Sequence, residues 1–204
     1  MASTTRRAKP PAGPSDTEAR ILAATERLLG RGERFTELPV QRVLTEAGVS
    51  RATFYAHFKD KTDLVLRLTD DVRRRSLDLA QNWRPESADG YARFFTDVIA
   101  LHRSKAPVLA ALREVAVYDA TVRGFYTADL EGFDEVVLQA LLDQQAAGLT
   151  SSDVDAAAAS RVIVWGGAQA IARHIEVDDG SGDGAFAREL ARIWWYGAFR
   201  RTSN

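Results

Sequence analysis

The sequence predicts an all-α chain, with a small three-helix head at the N-terminal end and a larger helical body behind it. Three observations predict this. Apolar residues recur at three- and four-residue intervals through successive segments, and no stretch alternates apolar with polar residues as a half-buried strand would. Between the segments stand helix stops and starts: Gly30, Gly48, Pro85, Pro107, Gly148 and the glycine-rich run at 178–184. Residues 47–61 read Ala-Gly-Val-Ser-Arg-Ala-Thr-Phe-Tyr-Ala-His-Phe-Lys-Asp-Lys, the tight turn and second helix of a helix-turn-helix.

Residues 1–14 are poor in large apolar groups and rich in Pro and small polar residues, which predicts a disordered basic tail. Its Arg6, Arg7 and Lys9 suit a minor groove or phosphates, or simply a solvated tail. The head follows at 15–60. Ser15-Asp16-Thr17-Glu18 is a capping-box pattern, and Ile21, Leu22, Thr25, Leu28 and Leu29 then share one face of a helix running to about Gly30. A short second helix spans about 39–47, with Val40, Val43 and Leu44 inward and Gln41, Arg42 and Thr45 outward. Pro39 suits its first turn. Gly48 supplies the left-handed backbone that closes this helix, Val49 fills the turn and Ser50 caps the third helix. There Phe54 and Phe58 plug the core while Arg51, Thr53, Tyr55 and His57 present polar or cationic tips.

Asp60 is placed to cap a fourth helix from Lys61 to about residue 81, with Leu64, Leu68, Val72 and Leu79 as its buried stripe. About twenty residues of helix span about 30 Å, long enough to connect the head to the body at 61–204. Residues 82–87 break it. Apolar-periodic segments follow near 87–106, 107–119, 121–147, 152–176 and 184–200, giving about six helices in the body and no internal repeat.

With 204 residues and no cysteine, the chain buries an ample core, forms no disulfide or thiolate metal site, and suits a reducing cytoplasm. No leader-like or membrane-spanning apolar run is present. Residues 1–83 hold 15 Lys/Arg against 11 Asp/Glu, and residues 84–204 hold 12 against 17. A basic front on an acidic body is the division expected of a nucleic-acid-binding head on a body with another task.

Other constellations are weaker. The glycine cluster at 180–184 follows no strand and lacks the Lys-Ser/Thr that closes a phosphate loop, so it reads as a flexible connector. His57, His102 and His174 form no metal-spaced pair, and His102 and His174 read as ordinary helix residues. No nucleophile elbow, zincin helix or kinase-type motif occurs, so no catalytic residue, metal or cofactor is expected. The body is rich in aromatics. Phe94, Phe125, Tyr126 and Trp165 suit the lining of an apolar cavity, with Gln169 able to offer one orienting hydrogen bond, although any single ring is more often plain core. Ala159, Ile163, Gly166, Gly167 and Ala170 form a stripe of small and apolar residues on one helix. Interior glycines cost roughly 0.8–1.0 kcal/mol each, which a close partner helix would offset. That partner is a second copy of the chain or another helix of the same body.

Residues 47–61 resemble the TetR family of transcriptional regulators, whose signature reads roughly A-G-V-S-x-x-T-x-Y-x-H-F-x-x-K; every fixed letter is in register here. The specific likeness covers about residues 15–75. It implies a homodimer on near-palindromic operator double-stranded DNA, with Ser50, Arg51 and Thr53 at the groove, Tyr55, His57 and Lys61 on phosphates, and Gln41 also among the DNA-binding residues. It also implies a body cavity for a small hydrophobic effector and a dimer interface on the last two helices. An EthR-like branch is similarly aromatic, and alignment to it puts Leu101, Phe125 and Trp194 at pocket positions. The chain departs from the family at Pro39, where Ser or Thr is usual, and at Leu44, where a small residue is usual. The expectation is a cytoplasmic, effector-released repressor with no membrane partner. The alternatives are an activator or co-repressor-dependent regulator of the same fold, or a helical ligand-binding protein or enzyme without DNA binding.

Overall fold

Side-chain caps fix where most of the helices begin. The computed structural model describes residues 15–81 and 86–201; the expected tail at 1–14 and most of the expected break, 82–85, lie outside the described residues. Ser15 Oγ accepts from the Glu18 amide and starts α1, Asp16–Gly30. Helix α2, Val40–Ala47, follows Pro39 with no side-chain cap and ends at Gly48, whose φ of 64° only glycine adopts readily. Ser50 Oγ accepts from the Thr53 amide to start α3, Arg51–His57. At α4, Lys61–Gln81, the Asp60 carboxylate accepts from the Asp63 amide while Asp63 accepts from the Lys59 amide. Ser87, Asp119 and Asp155 cap α5 (Ala88–Ser104), α7 (Ala120–Ala146) and α8 (Ala156–Val177) in the same way, and α6 spans Ala106–Ala116. Last comes α9, Asp183–Trp194, which runs on into a π-helical stretch, Trp195–Phe199. Among the described residues there is no strand, and no helix is long and apolar enough to cross a membrane.

These helices bury two cores. The first joins Ile21, Leu28, Phe54 and Phe58 of the head to Leu64, Val65 and Leu68 of α4, and continues into Val108, Leu112 and Val115 of α6 and Val122 of α7. The second gathers Tyr91, Phe95 and Ile99 of α5, Val137 and Leu141 of α7, Val164 and Ile171 of α8, and Trp194 and Phe199 at the C-terminal end. The most extensive helix–helix contact lies between α5 and α9. Polar bridges reinforce the first core, both across the head–body seam and between the starts of α4 and α7. Lys105 pairs with Glu26 at 2.9 Å, Thr62 donates to Asp119 at 2.9 Å, and Thr36 donates to Glu114.

The 178–184 connector is not the flexible link its composition suggests. Asp178 accepts from the amides of Gly180 and Gly182, and Arg103 of α5 reaches over to the Asp178 carbonyl at 2.7 Å and the Asp183 carboxylate at 2.8 Å. Aspartates close local turns, and a guanidinium ties those turns to the body.

Candidate nucleic-acid interface and body cavity

Helix α3 is seated by its aromatics and leaves its other side open. Phe54 and Phe58 are fully buried with ring centroids 5.3 Å apart, while Arg51, Ala52, Tyr55 and Ala56 are exposed. The guanidinium of Arg51 sits 5.6 Å from the Tyr55 ring centroid, which holds a long side chain close to one orientation on the open face. Gln41 and Thr45 of α2 are exposed as well. Ser50 and Thr53 share a hydrogen bond at 2.7 Å besides the capping bond, so both hydroxyls are engaged in holding the helix start. His57, half-buried, lies with Nδ1 3.5 Å from Ser15 Oγ and links the end of α3 to the start of α1. Arg20 of α1 donates to the carbonyls of Ala47 and Gly48 at 2.8 and 3.2 Å, satisfying the end of α2 and fixing the turn.

Lys61, expected at a phosphate, is held within the fold. Its ammonium donates to the backbone carbonyls of Phe35 at 2.6 Å, Leu38 at 2.8 Å and Thr36 at 3.3 Å, and lies 4.8 Å from the Phe35 ring centroid. An ammonium has three donors, and all three have partners inside the protein. Burial lowers its pKa, opposed by the Glu114 carboxylate. A cation in the first turn of a helix sits at the unfavourable end of the dipole, and the carbonyls compensate. Lys61 therefore ties the loop between α1 and α2 to α4, and its three donors are engaged within the fold.

Within the body, six helices enclose an apolar cavity of about 170 Å³. Phe94, Phe125, Tyr126 and Trp194 line it, as the sequence suggested. Leu101, Trp165 and Gln169 do not. Leu101 faces an open groove between α4 and α5, and Gln169 is exposed. Trp165 packs half-buried against the second core. The inward residues of α8 are Val164, Gly167, Ala168 and Ile171, and a step of one residue turns a side chain by about 100°. Val72, Arg73, Ser76 and Ala80 of α4 form a further wall, so the helix that begins beside the head ends in the cavity. His102 also lines it, where the sequence suggested only an ordinary helix residue. Its spacing from Phe94, Phe95 and Val98 on α5 was the available signal. Burial, aided by the Arg113 charge, pulls His102 down to about 4.

Gly167 finds its close partner within the chain. A Cβ there would stand 3.2 Å from Cζ2 of Trp194, so the glycine serves close packing within the chain. Ala159, Ile163 and Ala170 are half-buried, and Ile163 and Ala159 pack on the second core. Only Gly166 of that stripe is fully open. The outer faces of the last helices carry other exposed apolar residues: Val162 (71% exposed), Ile193 (56%) and Tyr196 (61%).

His174, Asp178 and Asp183 place three donor atoms within 4.8 Å of one another, a spacing compatible with a cation. Arg103 already lies against both carboxylates, at 2.5 Å from Asp183 and 3.8 Å from Asp178, and His174 bonds Asp183 at 2.8 Å while stacking on Phe186. Arg103 offsets part of their negative charge within the clasp, which fits a structural role.

Comparison with known proteins agrees with this arrangement. Residues 21–68 match the family model of bacterial regulatory proteins, tetR family. Over 71 residues the chain is 41% identical to the HTH-type transcriptional regulator EthR of Mycolicibacterium smegmatis; that match spans 35% of this chain and 32% of the relative. The fold is similar to that of GusR from Salmonella enterica, with a TM-score of 0.71 and 18% identity over 90% of this chain and 96% of the other. It is also similar to NalD of Pseudomonas aeruginosa, the secondary repressor of the MexAB-OprM multidrug efflux pump. That TM-score is 0.69, at 18% identity over 91% and 97% of the two chains.

Proposed function

Because residues 21–68 match the family model of bacterial regulatory proteins, tetR family, we propose that the chain is a homodimeric repressor of that kind, bound to a near-palindromic operator and released by a small apolar effector. One observation carries this reading: α4 belongs to both sites. Leu64, Val65 and Leu68 are buried in the core that seats the recognition helix, and Val72, Arg73, Ser76, Leu77 and Ala80 line the cavity. A ligand that shifts the far end of α4 shifts the head with it. Arg51 reads a base edge, with Gln41, Thr53, Tyr55 and His57 around it, and the arms of the dimer set two recognition helices about 34–36 Å apart or a multiple of that. Val162, Ile193 and Tyr196, with Gly166, supply the apolar faces through which two copies join. The place of action is the cytoplasm, where the operator is.

The test is to select fragments from random double-stranded DNA with the purified full chain and sequence them. An inverted repeat with half-sites about 10 base pairs apart, or a multiple, is the expected result. Recovery of no enriched sequence would overturn the reading.

A further inference from the structure

The charged groups lining the cavity neutralise one another. Arg73 of α4 and Asp129 of α7 meet at 2.6 Å, and the Arg73 guanidinium lies 5.1 Å from the Phe125 ring centroid. Thr69 donates back to the Leu66 carbonyl at 2.8 Å, within its own helix. What remains polar is uncharged. Burial raises the Tyr126 hydroxyl above its usual pKa, and His102, held near 4, is a neutral imidazole at pH 7, with one nitrogen a donor and the other an acceptor. Across the cavity wall His102 Nε2 and Ser76 Oγ stand 3.4 Å apart, a long contact that leaves both atoms able to take a better partner. The volume of about 170 Å³ is near that of the apolar cavities of about 150 Å³ that admit benzene.

We propose that this cavity takes an uncharged compound the size of one substituted ring, bearing a single hydroxyl or carbonyl that His102 and Ser76 hold while Phe125 and Trp194 flank its apolar part. This specifies the ligand class of the effector site read above and rests on that reading. Charged compounds are excluded because Arg73 and Asp129 already pair with each other and an ion entering beside them gains no counter-charge. The imidazole and hydroxyl come from α5 and α4, so the ligand's polar atom bridges the body to the connecting helix.

Calorimetry on the full chain with four probes of similar size tests this: para-ethylphenol, ethylbenzene, para-ethylbenzoate and para-ethylbenzylammonium. The phenol is expected to bind most tightly, ethylbenzene about 3–10-fold more weakly, and both ions at least about tenfold more weakly than the phenol. In Ser76→Ala, and again in His102→Phe, the affinities for the phenol and ethylbenzene converge. The proposal is overturned if either ion matches the phenol, if the phenol's advantage survives in both variants, or if no probe binds. Binding in the expected order without any change in operator affinity would uphold the ligand class and defeat the effector role.

Discussion

Arg51 and Lys61 carry the same formal charge and meet opposite surroundings. Arg51 is exposed and steadied over Tyr55, where a guanidinium can pair bidentately with guanine. Replacing it with Ala should cost about 1–3 kcal/mol of operator binding and relax the preference at one position per half-site. Uniform loss across all selected sequences would show that Arg51 only touches backbone. Lys61 is bonded to three carbonyls, and Lys61→Met leaves them without a donor. Urea unfolding should show a loss of about 1–3 kcal/mol, while the salt slope of DNA binding stays unchanged. A slope flattened by about one would return this lysine to the phosphate backbone. His102 gives a pH signature. Its pKa is about 4 in the fold against 6.5 when unfolded, so between those values the unfolded chain binds a proton that the fold refuses. Stability should therefore be unaffected above pH 6.5 and fall on acidification towards pH 4, by at most about 3 kcal/mol. His102→Phe should flatten that window of the stability curve, and an unchanged curve would mean the imidazole titrates freely.

At the level of the element, α8 has an inner face against the cavity and an outer face of exposed residues. Gly167→Leu drives a side chain into Trp194, and the expected result is a body destabilised by about 1–3 kcal/mol from overpacking. Val162→Glu acts on the outer face, where it should yield monomers in sedimentation with the thermal unfolding of each protomer nearly unchanged. A dimer that survives Val162→Glu would place the interface elsewhere. The helices of the head and the start of α4 were legible in the sequence because their signals are local. Ser15, Ser50 and Asp60 cap, Gly48 turns, and Phe54 and Phe58 mark the buried face by spacing alone. The lining of the cavity was legible at the aromatics Phe94 of α5 and Phe125 and Tyr126 of α7, and illegible on α8. That helix has Ala, Val, Ile, Trp or Gly on nearly every side between Ala156 and Ala172, so its periodicity does not say which face meets Trp194. The role of Lys61 was hidden for a related reason. Its partners are carbonyls of a loop more than twenty residues away in sequence, and no side-chain pattern reports where carbonyls point.

For the whole molecule, α4 runs from the first core to the wall of the cavity, and the occupancy of one site should be felt at the other only as far as the ligand prefers one setting of that helix. A coupling of about 1–3 kcal/mol, roughly 5–150-fold in operator affinity, is the expected scale, and operator DNA must weaken the ligand by the same factor. Titrating para-ethylphenol into the protein with and without operator measures it; equal affinities would mean the cavity does not communicate with the head. The first core has another consequence. Its apolar residues come from the head, from α4, from α6 and from the first turn of α7, so the surface on which α3 rests is finished only when the body is present. The head is therefore not a portable module. A fusion that joins residues 15–60 to a foreign sensor would expose a seam meant for Val108, Leu112 and Val115, whereas a graft that keeps the chain through Val122 carries its own foundation. Swapping sensors between such proteins should succeed only when the splice is made beyond α6.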